Sequence, residues 1–111
     1  MDGKRCFGEK RLSQPQIRRS LPAGWRIKRG LIEIGPMDFS TFPIAIRFVV
    51  RLASIAEGEN HHPEIMISWK RVTLQLTTHD AGGVTRLDIS MARLINSLLK
   101  SFGGRVRQLN K

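Results

Sequence analysis

The chain has 111 residues, 41% of them hydrophobic and 25% charged, which suits one domain with a modest core. No apolar run approaches the ~20 residues of a membrane-spanning helix, and the first residues lack the roughly 7–15-residue apolar stretch of a secretion signal. Cys6 is the only cysteine, which excludes an internal disulfide and makes a reducing compartment, the cytoplasm, the expected address.

The formal net charge of +10 predicts attraction to something acidic. Residues 1–30 carry nine Lys or Arg against Asp2 and Glu9, a net of +7, whereas residues 31–111 carry a net of only +3. Residues 1–22 read as a basic N-terminal arm, extended and weakly ordered apart from one short turn around 14–20. Such an arm is expected to add little to the fold and to offer a surface to an acidic protein. Phe7 and Trp25 are the only aromatics in the first 30 residues, so a stacking platform for single-stranded nucleic acid is not supported.

From Trp25 the pattern changes. Trp25-Arg-Ile-Lys alternates, Gly30 interrupts, and Leu31-Ile-Glu-Ile follows, so a hairpin is expected with its turn near Arg29 and Gly30. Apolar residues at Phe42, Ala45, Ile46, Val49, Leu52, Ala53 and Ala56 predict one stripe of a helix over 42–57, with Thr41 as N-cap and Pro43 in the first turn. Ile44, Phe48 and Ile55 fall off that stripe, and Phe48 and Ile55 are expected to be covered by a second subunit. Strands follow at 64–69, with Ile65, Ile67 and Trp69 on one face, and at 72–78, with Val72, Leu74 and Leu76 on one face, joined through Lys70-Arg71. Thr85-Arg-Leu-Asp88 has the form of a capping box and opens a second helix over 86–102, whose stripe runs through Met91, Ala92, Ile95, Leu98, Leu99 and Phe102. Residues 104–111 form a basic C-terminal tail. The expected fold is α+β: a four-stranded antiparallel sheet with the helices packed on one face.

All three histidines fall within nineteen positions and all sit at element ends. His61 and His62 precede the first strand of the 64–78 hairpin and His79 follows its second, so antiparallel pairing should bring the three together. Pro63 pushes His62 toward extended backbone, which aims His61 and His62 in different directions. Glu57 and Asp88 can reach the same end. Imidazoles beside carboxylates suit an elimination of water, which needs one proton delivered to the leaving hydroxyl and one removed nearby. Against that stand blander roles: Asp88 as no more than the capping-box acid, Glu57 as a helix-end residue and Trp69 as core. Adjacent histidines that point apart, with no His pair at i, i+4, argue against a metal site.

The run Glu57-Gly-Glu-Asn-His61-His62-Pro63, followed by Trp69, Thr77-Thr78-His79-Asp80 and Asp88, resembles the signature of the pterin-4a-carbinolamine dehydratase family. Gly24-Trp25, Phe39, Phe42 and Gly82-Gly83-Val84-Thr85 extend the resemblance over residues 21–101 and define a dehydratase-like domain at 23–103. It implies dehydration of 4a-hydroxytetrahydropterin to quinonoid dihydropterin in tetrahydrobiopterin recycling, with no metal or bound cofactor. It also implies His61, His62 and His79 as the catalytic set, and Glu57, Asn60, Thr77, Thr78, Asp80 and Asp88 as substrate-binding residues. A homodimer or homotetramer is expected. Arg86-Leu87 replaces the Glu-Arg pair frequent before the closing Asp, and the arm is more basic than familiar members. The alternative is a non-enzymatic dimeric interaction protein of the same fold, such as a Rubisco assembly factor or a transcription-factor dimerisation cofactor.

Overall fold

The computed structural model describes residues 9–106, so the first eight residues of the arm and the tail at 107–111 lie outside it. Two hairpins build the sheet. Trp25–Lys28 (β1) pairs with Leu31–Asp38 (β2) through Arg29 and Gly30, both at positive φ (49° and 81°) as a type I′ turn requires. Glu64–Ser68 (β3) pairs with Arg71–Leu76 (β4), with Ser68 opposite Arg71. The turn is therefore Trp69-Lys70, one residue earlier than expected. Trp69 leaves the strand face, takes φ +59° and stands 63% exposed under the Lys70 ammonium.

The order across the sheet is β1-β2-β4-β3, and every pairing is antiparallel. A fifth strand, Arg105–Val106 (β5), comes from the expected tail and pairs with β2 beside Met37 and Asp38. Between Ile34 and Met37, two β2 residues oppose one on β4, a bulge. Gly35 sits there at φ +122°, and a Cβ on it would come within 2.7 Å of the Val72 carbonyl oxygen, so only glycine fits.

One face of the sheet is apolar. Ile32, Ile34 and Met37 join Val72, Leu74 and Leu76 in a single core beneath Phe42–Glu59 (α2) and Arg86–Phe102 (α3). The other face is polar, with Glu33 buried beneath Arg26 (3.0 Å) and Lys28 (3.3 Å) and flanked by Gln75. The α3 stripe agrees with the sequence reading. The α2 stripe is rotated: its buried residues are Ala45, Phe48, Leu52 and Ala56, while Phe42 and Ala53 are exposed. Phe48 is fully buried within its own subunit, 5.0 Å from the Phe39 ring and 5.9 Å from Phe102. It is therefore core, not a residue awaiting a partner, because two aromatic neighbours outweigh the count of small apolar residues on the adjacent face. Ile55 is half-buried against the same core.

The arm also differs from expectation where it is described. Gln14–Ser20 (α1) is a helix closed by a capping box between Ser13 and Gln16, with Pro15 in its first turn. Ile17 is buried in the common core, Leu12 and Leu21 pack beside it, and the Leu12 N–H donates to the Val84 carbonyl at 2.8 Å. These three apolar residues, spaced among charges, tie the segment down.

Phe48→Ala should lower stability in urea by about 3–5 kcal/mol and Ile17→Ala by about 2–4. Val50→Ala, at a 62% exposed site, should change it by less than about 0.5. A near-neutral Phe48→Ala would contradict this core.

Candidate active site

Four chain ends meet at one edge of the core. α2 terminates at Asn60, which takes the left-handed conformation (φ 54°) that asparagine tolerates better than most residues. The Asn60 N–H donates to the Glu57 carbonyl (3.2 Å) and the His61 N–H to Ala56 (3.1 Å), the nested pair of a Schellman motif. That reversal turns His61 back under the helices, and its residue is only 8% exposed. Pro63 follows His62, which stays outside.

At the far end of the β3–β4 hairpin, Thr78 and Gly83 form a reciprocal bridge around a 3-10 turn at His79–Ala81. The Thr78 N–H donates to Gly83 (3.0 Å), the Gly83 N–H to Thr78 (3.3 Å) and the Ala81 N–H to Thr78 (3.0 Å). His79 is carried, exposed, on this closed loop. A cleft of about 230 Å³ lies between the two ends, lined by Asn60, His61, His62, Thr77, Thr78, His79 and Asp80.

Glu57 and Asp88 do not line the cleft; they stand behind its imidazoles. His61 Nε2 lies 2.6 Å from Asp88 Oδ1, and Asp88 is wholly buried. A carboxylate can only accept, so Nε2 carries the hydrogen and Nδ1 is left as the basic nitrogen of the neutral ring. The other oxygen, Asp88 Oδ2, accepts from the Thr85 N–H (2.9 Å) and the Thr78 hydroxyl (2.8 Å). Asp88 thus closes the capping box of α3 with one oxygen and holds an imidazole with the other. The two roles weighed from the sequence belong to one residue. His62 Nε2 lies equally close, 2.6 Å, to Glu57 Oε1, but with both side chains mostly in water (57% and 80% exposed). The His79 ring has no hydrogen-bond partner among the described residues. Thr77 Oγ1 donates to the Gly30 carbonyl (3.3 Å), which ties the cleft to the β1–β2 turn.

Two features escaped the sequence. Thr85 is legible as the cap of a box with Asp88, yet its hydroxyl also meets Thr78 in the network around that carboxylate. A second recess, about 240 Å³ and lined by Glu59, His61, Leu87, Ser90 and Met91, backs onto His61. Its residues come from separate elements, and no motif marks them. Among the described residues, no three His, Cys, Asp or Glu are grouped to hold a metal ion.

The protein is thus an α+β layer with carboxylate-backed imidazoles around a small cleft at the sheet end. More particularly, residues 10–98 match the family described as pterin 4 alpha carbinolamine dehydratase, and the chain belongs to that family. A relative from Sulfurisphaera tokodaii, provisionally named pterin-4-alpha-carbinolamine dehydratase, is 41% identical over 92 residues, covering 81% of this chain and 98% of its own. One from Koribacter versatilis, named likewise, is 43% identical over 91 residues, covering 80% and 96%. The crystal structure of a transcriptional coactivator/pterin dehydratase from Brucella melitensis superposes with a TM-score of 0.75 at 35% identity, over 80% of this chain and 98% of that one.

The two carboxylate–imidazole pairs have equal length and opposite burial. Asp88→Ala should therefore cost about 3–5 kcal/mol of stability, since it strands a buried polar network. Glu57→Ala should cost about 0–1 kcal/mol, as for an exposed pair. Equal losses in thermal or urea unfolding would contradict this division.

Proposed function

We propose that this protein is a 4a-hydroxytetrahydropterin dehydratase acting by histidine acid–base catalysis. In that reaction the hydroxyl on the carbinol carbon leaves with an added proton as water. The adjacent ring nitrogen gives up its proton, and its electron pair forms the C=N bond of the quinonoid dihydropterin. No electron acceptor is needed, and the product re-enters tetrahydrobiopterin recycling. The observation that carries the reading is the single cleft lined by His61, His62 and His79 with Asn60, Thr77, Thr78 and Asp80. Two imidazoles are oriented by carboxylates and the third is free to meet a ligand, which supplies both a proton donor and a proton acceptor. Among the described residues no helix is long and apolar enough to cross a membrane. The lone Cys6 favours the cytoplasm as the place of action.

A second property is assembly. β3 is an edge strand whose outer side is unpaired, and Met66, Ile67 and Trp69 are 46%, 42% and 63% exposed along it. A second copy of the chain pairing at this edge would cover all three. A dimer with a basic arm also suits an interaction role with an acidic protein, and the Brucella melitensis relative is named a coactivator as well as a dehydratase.

The test is turnover of 4a-hydroxytetrahydropterin by the purified protein. His79→Ala and His62→Ala should each lower the rate about 10²-fold or more, with folding retained. Folded wild-type protein that does not exceed the uncatalysed rate would overturn the enzyme reading. Light scattering on the same sample should show a dimer, and a monomer at micromolar concentration would refute the edge pairing.

A further inference from the structure

We infer that Thr78 is a positioning residue that holds two catalytic imidazoles in register, rather than a substrate contact. The inference rests on the dehydratase reading for its kinetic consequences, though not for its structural ones.

The direction of every hydrogen bond around Thr78 follows from the chemistry of its partners. Thr78 is 1% exposed, and its hydroxyl has one hydrogen to donate. Asp88 Oδ2, 2.8 Å away, can only accept, so that hydrogen goes to Asp88. Thr85 Oγ1 lies 2.9 Å from Thr78 Oγ1 and already accepts from the Leu87 N–H at 3.2 Å. Thr85 must then donate its own hydrogen to Thr78. The chain runs one way: Thr85 hydroxyl to Thr78 hydroxyl to Asp88 Oδ2, with Asp88 Oδ1 receiving His61 Nε2–H at 2.6 Å. The Thr78 hydroxyl therefore has no hydrogen left for a ligand.

Its backbone performs the second half of the task. The Thr78–Gly83 bridge and the Ala81 N–H bond to the Thr78 carbonyl close the loop that presents His79. One residue fixes His61 through its side chain and His79 through its main chain. Without the hydroxyl, Asp88 Oδ2 keeps only the Thr85 N–H, and the carboxylate can turn about its side-chain bond and release His61.

The experiment compares wild type with Thr78→Val and Thr78→Ser, reading kcat and KM on 4a-hydroxytetrahydropterin and the His61 Nε2–H resonance in protein with 15N-labelled histidine. Thr78→Val should lower kcat about 10–100-fold with KM within about twofold, the range for losing a group that orients a reacting one. It should also weaken or shift the His61 resonance. Thr78→Ser, which keeps the hydroxyl, should restore kcat to within about threefold and the resonance to its wild-type position. A raised KM with unchanged kcat would make Thr78 a substrate contact and overturn the inference, as would wild-type kcat and resonance in Thr78→Val. Should Thr78→Val fail to fold, Thr78→Ala removes the hydroxyl without crowding Asp88 and is read by the same criteria. Should wild type prove inactive, the dehydratase reading fails, and the His61 resonance still decides whether Thr78 holds the dyad.

Discussion

A carboxylate removed from water must be surrounded by donors or it will not stay ionised, and Asp88 is wholly buried. Three donors meet it: the Thr85 N–H, the Thr78 hydroxyl and His61 Nε2–H. Each comes from a different part of the chain, namely the start of α3, the end of β4 and the turn after α2. Satisfying one charge thus fixes where three elements end. The cleft exists because those ends are held together, and its deepest imidazole is held in one tautomer by the same bond. His62 and Glu57 repeat the pairing in water, where the bond orients the ring and contributes little to stability.

Much of this was readable beforehand wherever a local rule and the tertiary fold agree. The Thr85-x-x-Asp88 capping box and the pairing of the strands between the histidines each have a short-range physical cause, so both appear in the fold. The readings that failed turned on tertiary packing at Phe48 and on turn register at Trp69. Small apolar residues outnumber Phe48 on the neighbouring face, so periodicity alone puts it off the buried stripe. Its ring instead packs between Phe39, just past β2, and Phe102, at the end of α3. Alternation alone puts Trp69 on the strand face, and a shift of one residue in the turn carries it to the surface.

The basic segment taught a similar lesson. Its charges suggested an unattached arm, yet Leu12, Ile17 and Leu21 are enough to pin residues 12–21 to the core. Arg11 lies over Gly83, where a Cβ would come within 2.5 Å of its side chain, and donates to the Gly82 carbonyl at 3.4 Å. The segment therefore braces the loop that carries His79. Lys10, Arg18 and Arg19 of the described segment stay exposed.

The site depends on Asp88 keeping His61 protonated at Nε2 and bare at Nδ1. The most direct measurement is the 15N spectrum of wild-type protein labelled at histidine, taken at alkaline pH where a free imidazole is neutral. One ring should show a single tautomer, with a protonated Nε2 slow to exchange with solvent and an unprotonated Nδ1, and His61→Gln should remove that signal. A His61 ring protonated at Nδ1, or averaging between tautomers like a free imidazole, would contradict it.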